Sequence, residues 1–258
     1  MRQALLLVAA CALPSAAAAE DVRLCDGRPG QVSADGRLLN HFPYGVAARA
    51  DLVRQRALPG QCQAVHRGML ADLEALLVRA RADPEVGRAI YAVSCFRTAQ
   101  HQARIFCRHG RSTAAMVEQA EQVAPPGYSE HATGLAIDFG DRRAGRCNLE
   151  GCFANSAVGR WLARNAADFG FEMSFPQGNA QGVAFEPWHW RWIGRAEDAG
   201  AQGAKAVFAA ARERFPATAS ATAAAAAPIN PATVIRTTAT AAPTPTVAPG
   251  AAPAGTGQ

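Results

Sequence analysis

Apolar steps of three and four recur through residues 65–82, where Met69, Leu73, Leu76, Leu77 and Ala80 line one side of an amphipathic helix. Asp83-Pro84 stops it. The period then changes: Ala89 to Val93 is a short continuous apolar run, which predicts a buried strand. Thr98 to Cys107 returns to a helical pattern with Thr98 as N-cap. Pro125-Pro126-Gly127 forces a turn, and Leu135 to Phe139 predicts a second strand. From Asn155 to Phe169, Val158, Leu162 and Ala166 repeat every four residues beside Trp161, and Gly170 supplies a helix-ending signal. Trp188 to Ile193 alternates sides as a strand does, and 196–215 predicts a closing helix. Helices and short strands mix without regular βαβ alternation. The predicted fold class is therefore α+β, with a small, mostly antiparallel sheet flanked by helices.

The two ends of the chain read differently from this middle. Met1-Arg2-Gln3, an apolar run from Ala4 to Leu13 and small residues to Ala19 have the grammar of a secretory signal peptide over 1–19. The apolar run falls short of the roughly 20 residues needed to span a bilayer. A rival site, Val8-Ala9-Ala10-Cys11, loosely resembles a lipoprotein cleavage signal with Cys11 carrying the lipid. Residues 216–258 are almost entirely Ala, Thr, Pro and Gly, with Arg236 their only charge. Such a composition cannot bury enough apolar surface to offset its ordering entropy, so a flexible tail is expected. Residues 20–215 are left to fold, a length suited to one domain with a sizeable core.

Seven cysteines are present. Losing Cys11 with the signal leaves an even set, Cys25, Cys62, Cys95, Cys107, Cys147 and Cys152, which in an exported chain reads as a disulfide framework. The expected pairs are Cys147 with Cys152, Cys95 with Cys107, and Cys25 with Cys62; sequence alone leaves the connectivity open. No Cys-x-x-Cys spacing argues for a structural zinc. The formal charge of +5 reads as a solubilising surface, compatible with anionic wall polymers. No arginine cluster interleaved with aromatics points to nucleic acid.

Candidate chemistry gathers in two segments. In Ser129-Glu130-His131-Ala132-Thr133-Gly134-Leu135-Ala136-Ile137-Asp138, His131 and Asp138 stand seven apart across a turn that Gly134 lets bend tightly. Glu186-Pro187-Trp188-His189-Trp190 places Glu186 three residues before His189 in chain read as extended, entering the last strand. Two histidines and an aspartate make a three-ligand zinc set, with expected distances of about 2.0–2.2 Å and a fourth position open for water. Zinc lowers the pKa of such a water from 15.7 to roughly 7. Glu186 is then placed to take its proton and pass it to a leaving amine, and Arg97 to face the developing oxyanion with its fork of donors. Alone, each residue has a plainer reading: a loop histidine, a turn cap, a surface charge, a helix-start ion pair. Jointly, and in this order, they favour a catalytic metal. His41, next to Phe42 and Pro43, is expected in a loop near the cleft, and His66, His101 and His109 outside the motifs.

The segment Pro126 to Asp138 resembles the zinc-binding motif of VanY-type D-alanyl-D-alanine carboxypeptidases. Trp161-Leu162, Phe169-Gly170-Phe171 and Glu186-Pro187-Trp188-His189-Trp190-Arg191 are similar to the family's downstream part, and Ser94-Cys95-Phe96-Arg97-Thr98 with Gln102 to its Ser-Gly-Tyr-Arg-Ser…Gln stretch. The likeness runs from about Leu73 to Gly194. It implies zinc on His131, Asp138 and His189, Glu186 as base, Arg97 steadying substrate or intermediate, and Ser129 and Gln102 near the substrate. It also implies a hedgehog/DD-peptidase-like fold whose sheet carries the metal. Cys95 stands where the family has glycine, and Phe96 where tyrosine is common, which bears on substrate contacts.

The implied activity is hydrolysis of the terminal D-Ala-D-Ala bond of peptidoglycan stem peptides by an exported enzyme. Two alternatives share the residues. One is an endopeptidase or D-Ala-D-Ala dipeptidase with the same zinc site; the other is a non-catalytic wall-binding module that keeps zinc for stability.

Overall fold

The structure is a computed structural model describing residues 22–108, 110, 112–195 and 199–217. The expected signal peptide with Cys11, His109, and the tail beyond residue 217 lie outside the described residues. Four antiparallel strands form the central sheet: β3 (Ile90–Ser94), β4 (Ala136–Asp141), β6 (His189–Trp192) and β5 (Phe171–Met173), in that spatial order. A two-stranded sheet pairs β1 (Leu52–Arg54) with β2 (Ala64–His66). Six α-helices among the described residues complete the fold: α1 (Leu70–Ala82), α2 (Ala99–Phe106), α3 (Thr113–Ala120), α4 (Ala157–Asn165), α5 (Ala199–Val207) and α6 (Ala209–Arg214). The α+β class with a small antiparallel sheet is what the sequence predicts. No helix among the described residues is long and apolar enough to cross a membrane.

The helical periodicity becomes packing. Leu73, Leu76, Leu77 and Ala80 of α1 join Val158, Trp161 and Leu162 of α4 and the sheet's Ile137, Phe139, Trp190 and Trp192 in one core. Burying each large apolar side chain contributes about 1.5–3 kcal/mol before entropy is counted. Asp83 ends α1, Thr98 Oγ1 caps α2 by accepting from His101 N (3.1 Å), and Gly170, in the left-handed conformation at φ 75°, follows the 3-10 turn that extends α4. A Cβ at Gly170 falls 2.6 Å from the Gly194 backbone, so only glycine fits.

The strand pattern of Trp188 to Ile193 is corrected in two ways. Strand β6 starts only at His189, and all four of its residues are buried, because it lies inside the sheet with both faces covered. The link from Glu186 is a turn, not extended chain: His189 N donates to Glu186 O at 3.0 Å. Residues 65 and 66 belong to β2 instead of the first helix, and the closing helix breaks at Phe208 into α5 and α6. Helix α3 and strands β1, β2 and β5 go unpredicted, each too short to show a clear period.

Two of the three expected disulfides are wrong. Cys147–Cys152 forms as expected, but the other pairs are Cys25–Cys107 and Cys62–Cys95. Cys95 directly follows β3 while Cys107 lies past α2, and eight residues of helix span roughly 12 Å, beyond the reach of a disulfide at about 7 Å between Cα atoms. Instead, Pro59 to Gln61 hydrogen-bonds alongside Ala92, which carries Cys62 to Cys95. The N-terminal segment lays Leu24 and Leu38 over Phe106 and Met116, which brings Cys25 to Cys107.

Asp72 couples α1 to the strand that carries His189. Its buried carboxylate accepts from Trp192 Nε1 (2.9 Å) and pairs with Arg195 (2.9 Å). Asp72→Ala leaves the buried indole N–H without an acceptor and is expected to cost about 1–3 kcal/mol. The check is a lowered denaturant midpoint at unchanged slope.

Candidate metal centre

Three local devices aim the site. A 3-10 turn over Glu130–Thr133 carries His131, and Gly134 closes it at φ 69°. A Cβ on Gly134 falls 2.8 Å from Leu52 Cδ2 and 3.0 Å from His66 N, so the turn packs against β1 and β2 only because that atom is absent. From there β4 runs to Asp138, which pairs in register with His189 on β6. On the other side an irregularity between Ala92 and Ser94 turns the chain out of β3. Cys95 and Arg97 therefore face the 3-10 turn: His131 Nδ1 lies 2.8 Å from Cys95 O, and Arg97 N donates to His131 O at 3.2 Å.

His131, Asp138 and His189 are buried, and one candidate donor atom from each lies within 4.8 Å of the others. A carbonyl only accepts, so the contact with Cys95 O puts the His131 proton on Nδ1. Nε2 then carries a lone pair, and it is buried without a hydrogen-bond partner. It faces Asp138 Oδ2 across 3.1 Å. Two lone pairs opposed at that distance ask for a cation between them. His189 Nδ1 lies 2.8 Å from Asp138 Oδ1, and its Nε2 lies 2.9 Å from Glu130 Oε2. These two nitrogens and one carboxylate, next to an open cleft, match the donor set of a catalytic divalent metal.

Electrostatics follow from burial and pairing. Burial and the nearby Arg97 guanidinium hold His131 down at about 4, so it is neutral at pH 7. Burial also opposes charge on His189, but hydrogen bonds to Asp138 and Glu130 outweigh it and raise this ring to about 10. Asp138 is held well below the carboxylate range, its burial overcome by the two histidines. A proton on His189 Nδ1 thus sits where a divalent cation competes for the same oxygen. Burial pushes the Glu186 carboxyl up to about 8, with Asp138 adding to the shift and His189 and Arg97 opposing it. Glu186 Oε2 is 3.9 Å from His189 Nδ1, since the turn at Pro187 folds the acid back over the ring.

All seven residues singled out from the sequence line one cleft of about 660 Å³: Arg97, Gln102, Ser129, His131, Asp138, Glu186 and His189. Arg97 Nη2 reaches Asp138 Oδ2 at 3.5 Å, while its buried Nε has no hydrogen-bond partner. Gln102 Nε2 donates to Ala124 O at 2.7 Å and leaves a buried Oε1 unpaired. His41 also lines the cleft, its Nε2 2.7 Å from Ala120 O. The sequence reading missed Phe175, whose ring lies tilted over His189 at 5.2 Å, and the partners of Glu130: Ser174 and Arg191. Glu130 stood inside the first motif, but its contact with His189 spans 59 residues and has no local signature.

Comparison with known proteins gives concordant results. A family model described as VanY, D-alanyl-D-alanine carboxypeptidase, matches residues 63–195, which include all seven residues. A D-alanyl-D-alanine carboxypeptidase of Enterococcus faecalis (strain ATCC 700802 / V583) is 34% identical over 135 residues, covering 47% of this chain and 46% of that protein. The bifunctional D-Ala-D-Ala dipeptidase and D-Ala-D-Ala carboxypeptidase VanXYC of Enterococcus gallinarum is 31% identical over 109 residues, covering 41% and 56%. The chain thus spans about half the length of these curated relatives. Among solved structures, the LdcB LD-carboxypeptidase aligns with a TM-score of 0.51 at 26% identity, over 65% of this chain and 76% of that one.

His41 gives the cleft wall an acid sensitivity that can be measured. Burial lowers its pKa to about 4. The unfolded chain therefore binds more protons than the folded one between pH 6.5 and 4, and stability is lost as pH falls through that window. His41→Gln keeps a donor for Ala120 O and removes the titration. It is expected to reduce the acid-induced loss by up to roughly 3 kcal/mol, read from denaturation midpoints at pH 7 and pH 4.

Proposed function

Because the chain belongs to the VanY D-alanyl-D-alanine carboxypeptidase family, we propose that it is a zinc peptidase removing the terminal D-alanine from peptidoglycan stem peptides. One observation carries this reading: the buried, unpaired His131 Nε2, its tautomer set by Cys95 O, turned toward Asp138 and His189 beside the Glu186 carboxyl. In this reading His131, Asp138 and His189 would hold zinc, which when bound would supply Lewis acidity and lower the pKa of water from 15.7 to roughly 7.

The rest of the work belongs to the chain. Glu186, buried beside the His189 ring, takes the proton of the attacking water as a carboxylate and gives it to the departing D-alanine amine. Arg97 offers its unpaired Nε–H to the oxygen on which negative charge develops. Gln102 Oε1 accepts a substrate N–H, and Ser129 lines the wall next to it. Asp138 neutralises part of the Arg97 charge and so keeps the guanidinium in the cleft.

Ahead of this domain, residues 1–19 act as an export signal. The three disulfides suit an oxidising compartment, periplasmic or extracellular. A second reading has support from the comparisons. LdcB is an LD-carboxypeptidase and VanXYC is also a dipeptidase, so this cleft could take a tetrapeptide or the free dipeptide. A stem pentapeptide, a tetrapeptide and D-Ala-D-Ala, each incubated with the zinc-loaded chain and resolved by mass spectrometry, separate these. Single D-alanine from the pentapeptide is expected; release from the tetrapeptide alone, or cleavage of the dipeptide alone, overturns the DD-carboxypeptidase assignment.

Two substitutions test the roles. Glu186→Ala is expected to lower kcat by about 10²–10⁴-fold while zinc content, read by atomic absorption, stays at the parent level. Unchanged turnover removes Glu186 from the mechanism, and unchanged metal in an inactive chain rejects the purely structural zinc reading. His131→Ala is expected to lose both zinc and turnover; full zinc occupancy rejects its assignment as a ligand.

A further inference from the structure

We infer that Glu130 is a positioning residue for the metal centre, its carboxylate fixing the His189 ring so that Nδ1 is the nitrogen presented to the cation. The inference rests on the metal-centre reading above. Glu130 has almost no exposed side-chain surface, and an isolated carboxylate there is costly unless fully hydrogen-bonded. Three donors surround it. Ser174 Oγ donates to Oε2 at 2.5 Å, His189 Nε2 lies 2.9 Å from the same oxygen, and Arg191 Nη1 donates to Oε1 at 2.9 Å.

The support continues outward. Arg191 Nε donates to Glu172 Oε1 at 2.7 Å, and that oxygen also accepts from Arg212 Nε on α6 at 2.9 Å. The carboxylate that touches His189 is therefore braced through β6, β5 and the last helix. No other acid among the described residues stands where it could do this work. Asp138 lies on the Nδ1 side of the ring, at 2.8 Å, and Glu186 lies on that side too, at 3.9 Å. Among the acids of the described residues, only Glu130 reaches Nε2.

Holding a proton on Nε2 frees the Nδ1 lone pair and makes it more basic, the effect a carboxylate has behind a metal-bound imidazole. The neighbouring residue along the chain is His131. One 3-10 turn thus supplies one ligand through its own ring and orients the second through the adjacent side chain, with the two rings 4.8 Å apart.

A plainer role, counter-ion to Arg191, predicts something different, and zinc binding distinguishes the two. Full-length parent, Glu130→Gln, Glu130→Asp and Ser174→Ala chains are titrated with zinc against a chromophoric chelator, and each metal-free form is melted. Glu130→Gln is expected to bind zinc about 10–100-fold more weakly than the parent. Glu130→Asp keeps a charge for Arg191 but is one methylene short of His189; it should regain melting temperature without regaining zinc affinity. If aspartate restores both together, or if both variants bind zinc as tightly as the parent, the inference is overturned. Where the Glu130 variants do not fold, Ser174→Ala decides: it removes one donor from Oε2, leaves the Arg191 pair in place, and is expected to weaken zinc binding, with unchanged affinity counting against the inference. A parent chain that binds no zinc defeats the metal-centre reading itself, an outcome separate from failure of the variants alone.

Discussion

Asp138 and His189 stand opposite each other because β4 and β6 pair in one register and not its neighbour. Side chains alternate faces along a strand, so a slip of one residue would turn both groups away from the cleft and put apolar neighbours in their place. Everything polar in the site is arranged around this pair. The register is specified by the apolar residues between and beside them. Ile137 and Phe139 flank Asp138, Trp190 and Trp192 follow His189, and all four are sealed in the core. The hydrophobic pattern that makes the sheet fold is thus also what aims the chemistry.

Such a site is expensive in folding terms, since it places four carboxyls, two imidazoles and two guanidiniums largely out of water: Asp138, Glu130, Glu186, Glu172, His131, His189, Arg97 and Arg191. Each is tolerated because it is answered by a neighbour. Glu130 and Arg191 satisfy one another, His189 bridges two acids, and Arg97 leans on Asp138. Among the described residues five buried side-chain atoms go unanswered: Tyr44 Oη and Arg191 Nη2 lie outside the cleft lining, whereas His131 Nε2, Arg97 Nε and Gln102 Oε1 belong to residues that line it. Buried polar groups are ordinarily paired, so unpaired ones gathered at one cleft mark the place where something else is meant to bind.

The covalent bonds reinforce the same wall. Cys62–Cys95 ties the chain beside β3 to the segment that holds His131 by a carbonyl and carries Arg97. Cys147–Cys152 closes the short loop whose Leu149, Glu150 and Gly151 form another edge of the cleft. Cys25–Cys107 fastens the N-terminal segment just beyond α2, next to the small core of Leu24, Leu38, Phe106 and Met116. The Cys62–Cys95 bridge thus fixes the loop that leads to Arg97.

The sequence by itself determined the parts that depend on near neighbours. Helical periods marked α1, α2 and α4, the apolar runs marked β3 and β4, and Thr98, Asp83 and Gly170 punctuated them, because these are properties of a few adjacent residues. Three short stretches, around Arg97, His131 and His189, and the family resemblance they carry were enough to nominate the seven cleft residues, since each stretch carries its groups at fixed local spacing. Only the tertiary structure decided which distant groups meet. The disulfide partners of Cys25 and Cys62, at separations of 82 and 33 residues, and the contact of Glu130 with His189 across 59, leave no trace in any local pattern. The turn at Pro187 was misread for a related reason: whether Glu186 points along the chain or back over His189 depends on the neighbouring strands it hydrogen-bonds with, as Phe139 N does to Trp188 O. Pairing at long range is set by the packing of the whole core, and no window along the chain contains that information.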